Sequence, residues 1–121
     1  MKKKRILIVD DEKELRQFLG LRLESEGFEV LMATDGMEGY EKARQEMPDL
    51  MVLDLMLPKL DGYKVCRMLK FDEKYKAIPI ILVTARSQES DQLLGMQVGA
   101  NAYITKPYDA KELMEKIKEL L

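Results

Sequence analysis

The sequence predicts an open, doubly wound α/β fold: a five-stranded parallel sheet with helices on both faces. Two observations predict it. Five short β-rich runs alternate strictly with stretches of helical periodicity, the order that sets strands side by side through helical crossovers. The strand runs are apolar throughout instead of alternating apolar with polar, as in strands covered on both faces. Right-handed crossovers then give an open sheet, and its ligands belong beyond the carboxyl ends of the strands. The 121 residues are expected to form one domain, 1–121.

The elements follow in order. RILIV, ending at Val9, is the first strand, and KKKR (Lys2 to Arg5) is its solvated lead-in. Leu15, Phe18, Leu19 and Leu23 recur at three- and four-residue steps and mark a helix that stops near Gly27. EVLMA ends at Ala33; Met37, Tyr40, Ala43 and Met47 then mark a second helix, stopped by Pro48. LMVL ends at Leu53, Asp61-Gly62 starts the next helix, and Tyr63, Cys66 and Leu69 give its inner stripe. IPIILV ends at Val83. Gln88 to Val98 reads as helix less cleanly because Gly95 interrupts it, at about 1 kcal/mol relative to Ala. AYIT ends at Thr105, and Leu113, Ile117 and Leu120 lie on a last helix, Asp109 to Leu121.

Composition removes several classes of function. With 46% hydrophobic and 35% charged residues the balance is globular, and a formal charge of -2 offers no field to recruit nucleic acid or anionic lipid. The absence of histidine excludes Ser-His-Asp catalysis, His-based zinc sites and a phosphohistidine on this chain. A lone Cys66 has no internal disulfide partner. Apolar runs of four or five residues fall far short of the roughly 20 needed to cross a bilayer, so a cytoplasmic location is expected.

At the carboxyl edge the strands deliver Asp10 and Asp11 after the first, Asp54 after the third, Thr84 after the fourth and Lys106 after the fifth. Each alone also fits a structural role: an Asp as helix cap or turn residue, Thr84 as a strand end, Lys106 as a solvated terminus. Convergence on one rim is what points to chemistry. Unit charges 4 Å apart repel by about 4 kcal/mol at an effective dielectric of 20, so three clustered carboxylates call for a cation. One lysine does not neutralise three acids, whereas an all-oxygen site of carboxylates, a backbone carbonyl and waters suits Mg²⁺. The stretch ILIVDDE thus places acids where many nucleotide-binding folds place a glycine-rich phosphate cradle. With Mg²⁺ present, Asp54 is a candidate nucleophile toward phosphorus, and Thr84 and Lys106 are candidate partners of the phosphoryl oxygens.

At these residues the sequence resembles the receiver domain of two-component response regulators. The likeness is carried by ILIVDDE (Ile6 to Glu12), LMVLDLMLPKLDGY (Leu50 to Tyr63), IPIILVTA (Ile78 to Ala85) and GANAYITKPY (Gly99 to Tyr108), four motifs in order over nearly the whole chain. The resemblance implies the flavodoxin-like, CheY-like strand order 2-1-3-4-5, which is that of the family's chemotaxis member. It implies that Asp54 accepts a phosphoryl group from the phosphohistidine of a sensor histidine kinase or phosphotransfer protein. It implies Mg²⁺ held directly by Asp11, Asp54 and the Met56 carbonyl, with Asp10 acting partly through water. It implies further that Thr84 and Lys106 sense the phosphoryl group, that Tyr103 is a switch residue that follows Thr84, and that Lys106-Pro107 is a cis peptide. Packing of a strand aromatic is the plain alternative for Tyr103.

On the same likeness the chain is not an enzyme in the ordinary sense, but a phosphoacceptor that assists its own phosphorylation and dephosphorylation. Its partners are the kinase and either a downstream protein target or an effector domain outside this sequence, with no direct contact to nucleic acid or membrane. The loosely held Gln88 to Val98 helix, the fifth strand and the last helix are expected to form the responsive face, and Met56 and Arg86 flank the site. Asn101-Ala102 and Lys116 depart from the commonest pattern of receivers fused to winged-helix domains, and the KFDEKYKAIPI joint looks more like stand-alone or hybrid-associated receivers. The rival enzymatic reading is a Mg²⁺-dependent aspartyl phosphatase of the haloacid dehalogenase class, whose general acid two residues past the nucleophile is replaced here by Met56.

Overall fold

The computed structural model describes residues 2–85 and 89–121. Five strands, β1 (Arg5–Val9), β2 (Glu29–Ala33), β3 (Leu50–Asp54), β4 (Ile80–Thr84) and β5 (Ala102–Thr105), form one sheet in the order β2-β1-β3-β4-β5, every pair parallel. The helices are α1 (Lys13–Ser25), α2 (Gly36–Glu46), α3 (Gly62–Lys70), α4 (Glu89–Gln97) and α5 (Ala110–Leu120). No helix of the described residues is long and apolar enough to cross a membrane.

The apolar runs divide by parity, because successive strand side chains point to opposite faces. Ile6, Ile8, Leu50, Val52, Ile81 and Val83 pack against Leu19 and Leu23 of α1 and Leu113 and Ile117 of α5. Leu7, Val9, Met51, Leu53, Ile80 and Leu82 pack on the other face against Ala43 of α2 and Val65, Cys66 and Leu69 of α3. The central strands β3 and β4 are buried along their whole length, while the edge strand β2 is only half covered. Double coverage is therefore what the uninterrupted apolar runs encode.

Two helix readings need correction. Phe18, Met37 and Met47 share the helical period but are exposed, Phe18 by 62%. The inner face of α2 is instead Gly36, Gly39 and Ala43, because that helix lies so near β1 that a Cβ on Gly39 would stand 2.8 Å from a Val9 methyl. Small residues carry no hydropathy signal, so the period picked out the methionines beside them. The fourth helix is described from Glu89, so the expected start at Gln88 lies outside the described residues. Gly95 is buried as well as costly to the helix: a Cβ there would meet the Tyr103 ring at 2.8 Å, so the missing side chain is what lets strand aromatic and helix pack together. Leu23→Ala is expected to lower the unfolding free energy by about 3 kcal/mol and Phe18→Ala by at most about 0.5 kcal/mol, measured by urea denaturation; equal losses would place Phe18 in the core.

Candidate functional site

Sheet register builds the site. Val9 pairs with Leu53, Asp54 with Val83 and Thr84 with Thr105, so the residues at the ends of β1, β3, β4 and β5 form one row, with neighbouring strands about 4.8 Å apart. Asp54 and Thr84 close their strands and are not the residues after them, one step earlier than the apolar runs suggest. The row is held by main-chain bonds that continue the ladders: Asp10 N–H to Ala33 O at 3.2 Å, Leu55 N–H to Val83 O at 3.3 Å and Lys106 N–H to Thr84 O at 2.7 Å. The Lys106-Pro107 peptide is cis.

Carboxylate oxygens of Asp10, Asp11 and Asp54 lie within 4.8 Å of one another. Asp10 and Asp54 are buried and Asp11 is exposed at the mouth. The Lys106 ammonium stands 3.2 Å from Asp10 Oδ2, 3.2 Å from Asp54 Oδ2 and 3.8 Å from Glu12 Oε1. The remaining oxygens have main-chain donors: Glu12 N–H reaches Asp10 Oδ1 at 2.8 Å and Met56 N–H reaches Asp54 Oδ1 at 3.1 Å. Asp10 thus does two jobs at once, supporting the start of α1 and facing the cluster.

Electrostatics favour a further positive charge. Burial, with the Asp10 charge adding to it, lifts the Asp54 carboxyl above its ordinary range despite the Met56 N–H and Lys106, which pull it down. Burial alone would lower the Lys106 pKa, but Asp54 and Asp10 outweigh it and hold the ammonium above its ordinary value. Lysine therefore stays charged, while the buried aspartate remains under-compensated among its neighbours. Burial likewise raises the Tyr108 phenol beside the site.

Of the residues singled out from the sequence, Asp10, Asp11, Asp54 and Lys106 come together, with Thr84 fully buried in the same row. Met56 adjoins them through its backbone, its side chain exposed. Tyr103 is half-buried on β5 against α4, next to Thr84's strand. Arg86 lies outside the described residues. Sequence reasoning missed Arg16, whose guanidinium donates to the Asp10 carbonyl at 2.6 Å, and Glu12 as a neighbour of Lys106. It also missed Gly62, where a Cβ would stand 2.5 Å from Asp54 O and prevent the return of the chain beneath the site. The one-turn separation of Glu12 and Arg16 signals only a pair between those two, so the sequence carried no signal for either contact.

Comparison with known proteins identifies the family. The family model for the response regulator receiver domain matches residues 6–118. The chain is 44% identical over 118 residues to the alkaline phosphatase synthesis transcriptional regulatory protein PhoP of Bacillus subtilis, covering 98% of this chain and 48% of that protein. It is 43% identical over 117 residues to the DNA-binding dual master transcriptional regulator RpaA of Synechocystis, covering 97% of this chain and 48% of that one. The chain spans about half the length of the curated relatives it matches. Among solved structures, the CheY-like response regulator receiver domain protein of Methanospirillum hungatei superposes with a TM-score of 0.91 at 34% identity, covering 98% of this chain and 93% of that one. Matched in sequence over nearly its full length and in fold to its last strand, the chain belongs to the response regulator receiver domain family of two-component signalling.

Proposed function

We propose that this chain is a phosphorylation-dependent signalling switch that takes a phosphoryl group onto Asp54 from the phosphohistidine of a sensor histidine kinase or phosphotransfer protein, with Mg²⁺ bound beside it. The observation that carries the reading is the buried Asp54 carboxylate, close to two further acids and ion-paired with Lys106. An oxygen-only donor set with surplus negative charge fits a hard divalent cation. Asp10, Asp11, Asp54 and the Met56 carbonyl would hold it. Bound there, Mg²⁺ would neutralise charge on the transferring phosphoryl oxygens.

The chain's own residues supply the rest. An Asp54 carboxylate oxygen attacks phosphorus, the new P–O bond gives an acyl phosphate, and the donor's P–N bond breaks with its electron pair left on the imidazole nitrogen. Lys106, kept charged by its carboxylate neighbours, pairs with one phosphoryl oxygen, and the Thr84 hydroxyl donates to another. The group brings close to two negative charges to the end of β3, drawing Lys106 and Thr84 toward it. Tyr103, packed on Gly95 of α4, then carries the change to the face formed by α4, β5 and α5, where a downstream protein target or an effector domain reads it.

A phosphohistidine must bring its phosphorus to Asp54, so its carrier has to rest on the rim of this site. The surface continuous with that rim is an apolar groove lined by Leu15 and Phe18 of α1 and by Pro107 and Tyr108, with Glu12 and Lys106 at its inner end. Exposed Phe18, which contributes nothing to the core, fits an anchor for the phosphodonor.

Incubation with Mg²⁺ and phosphoramidate is expected to give one phosphoryl adduct that maps to Asp54 and is absent from Asp54→Asn and from metal-free samples. Rapid multiple turnover on diverse phosphomonoesters would instead favour the phosphatase reading. Phe18→Ala is expected to slow transfer from a histidine kinase that labels the wild type by about tenfold, the loss of one interfacial aromatic anchor, while labelling by phosphoramidate is unchanged. Equal rates from the kinase would remove α1 from the donor surface.

A further inference from the structure

The loop between β3 and α3 carries Met56, and through Pro58 and Leu60 it rests on the start of α2. A Cβ built on Gly36 would stand 1.6 Å from Leu60 O and 2.9 Å from Leu60 Cβ, so backbone meets backbone there with no room for a side chain. The Gly36 N–H points at Pro58 O at 3.4 Å, and Leu60 N–H returns to the same oxygen at 2.8 Å. Lys59, between them, sits in the left-handed region at φ 69°, a conformation that a non-glycine residue keeps only when its surroundings impose it. Its ammonium lies 3.5 Å from Asp35 Oδ2.

The surface receiving this loop is itself braced. Asp35 caps α2 by accepting the Glu38 N–H at 2.8 Å, and Glu38 Oε1 accepts the N–H of Thr34, the residue before the cap, at 2.6 Å. At its other end the loop is pinned by Gly62, whose N–H donates to Leu55 O at 3.0 Å. A seven-residue connection, Leu55 to Asp61, is thus closed at its ends by the Gly62–Leu55 bond and braced through Pro58 and Leu60 against a helix that contributes nothing to the site directly.

We propose that Gly36 and Asp35, at the start of α2, are positioning residues that hold the β3–α3 loop, and with it the Met56 backbone, ready for a divalent cation at Asp10, Asp11 and Asp54. This rests on the metal site proposed above. A ligand-bearing loop already ordered in the free protein loses less freedom when the ion binds, so affinity depends on what holds the loop. Gly36→Ala must push the Leu60 carbonyl away, and Asp35→Ala removes the helix cap together with the Lys59 partner.

The test is calorimetric titration of the metal-free chain with Mg²⁺, alongside urea unfolding in the absence of Mg²⁺. Gly36→Ala is expected to weaken Mg²⁺ binding by about tenfold, as outer-shell changes do, and Asp35→Ala in the same direction by less. Gly20→Ala, far from the site and meeting the flexible end of Met32 with a Val30 methyl at ordinary contact distance, is the control: it is expected to perturb packing and leave the affinity unchanged. Should Gly36→Ala not fold, Asp35→Ala decides. Folded variants that bind like the wild type would overturn the positioning role alone, as would an equal weakening in Gly20→Ala, which would mark a general stability effect. A wild-type chain that takes up no Mg²⁺ overturns the metal site itself and the positioning role with it.

Discussion

Lys106 reaches Asp10 and Asp54 at 3.2 Å each from the end of β5, across the end of β4, and the arrangement of the site depends on that bridge. Two buried carboxylates at this separation repel strongly, and the fold tolerates them because a cation lies between them and main-chain N–H groups meet their other oxygens. The bridge needs the sheet order: β1 and β3 adjacent, so that the acids are neighbours, and β5 one strand beyond β4, where a four-carbon stem spans the gap. A different order with the same strands would scatter the same residues along the edge.

Close backbone approach is the second constraint. Gly62 lets the chain turn back beneath Asp54, and Gly36 lets α2 press on the outside of the same loop. Leu55, buried at the loop's start, fastens it to the core. Main chain thus sets the position of Met56, while its side chain is exposed to solvent. Tyr103 and Gly95 repeat the device on the opposite side of the site, where a missing Cβ admits a ring instead of a carbonyl.

Much of this was legible in the sequence, for identifiable reasons. Strand positions follow from apolar runs whose two faces are both covered, and the site acids are conspicuous because charge directly after such a run is costly without a partner. The strand order was not legible from periodicity and came only with the family resemblance. Phe18 and Met37 misled because hydropathy has no direction: an apolar residue on a helix is read as inward whether it serves the core or a partner. Gly36, Gly39 and Gly95 were invisible as contacts for the converse reason, since their effect lies in what they lack. Asn101, noted as a departure at the GA motif, has a plain structural role: its Oδ1 accepts the Ile80 N–H at 2.9 Å and the Lys70 ammonium at 3.0 Å.

The central claim is that Asp54 sits in a pocket short of positive charge. Because its folded-state pKa is raised, the carboxyl keeps its proton to higher pH than in the unfolded chain, and ionising it withdraws stability as pH rises from the unfolded to the folded midpoint. The most direct test follows the Asp54 side-chain carboxyl carbon by NMR through a pH titration, with and without Mg²⁺. The account expects a metal-free midpoint above the ordinary 3.8 and a clear fall when Mg²⁺ is added. A metal-free midpoint at or below that value, unmoved by Mg²⁺, would contradict it.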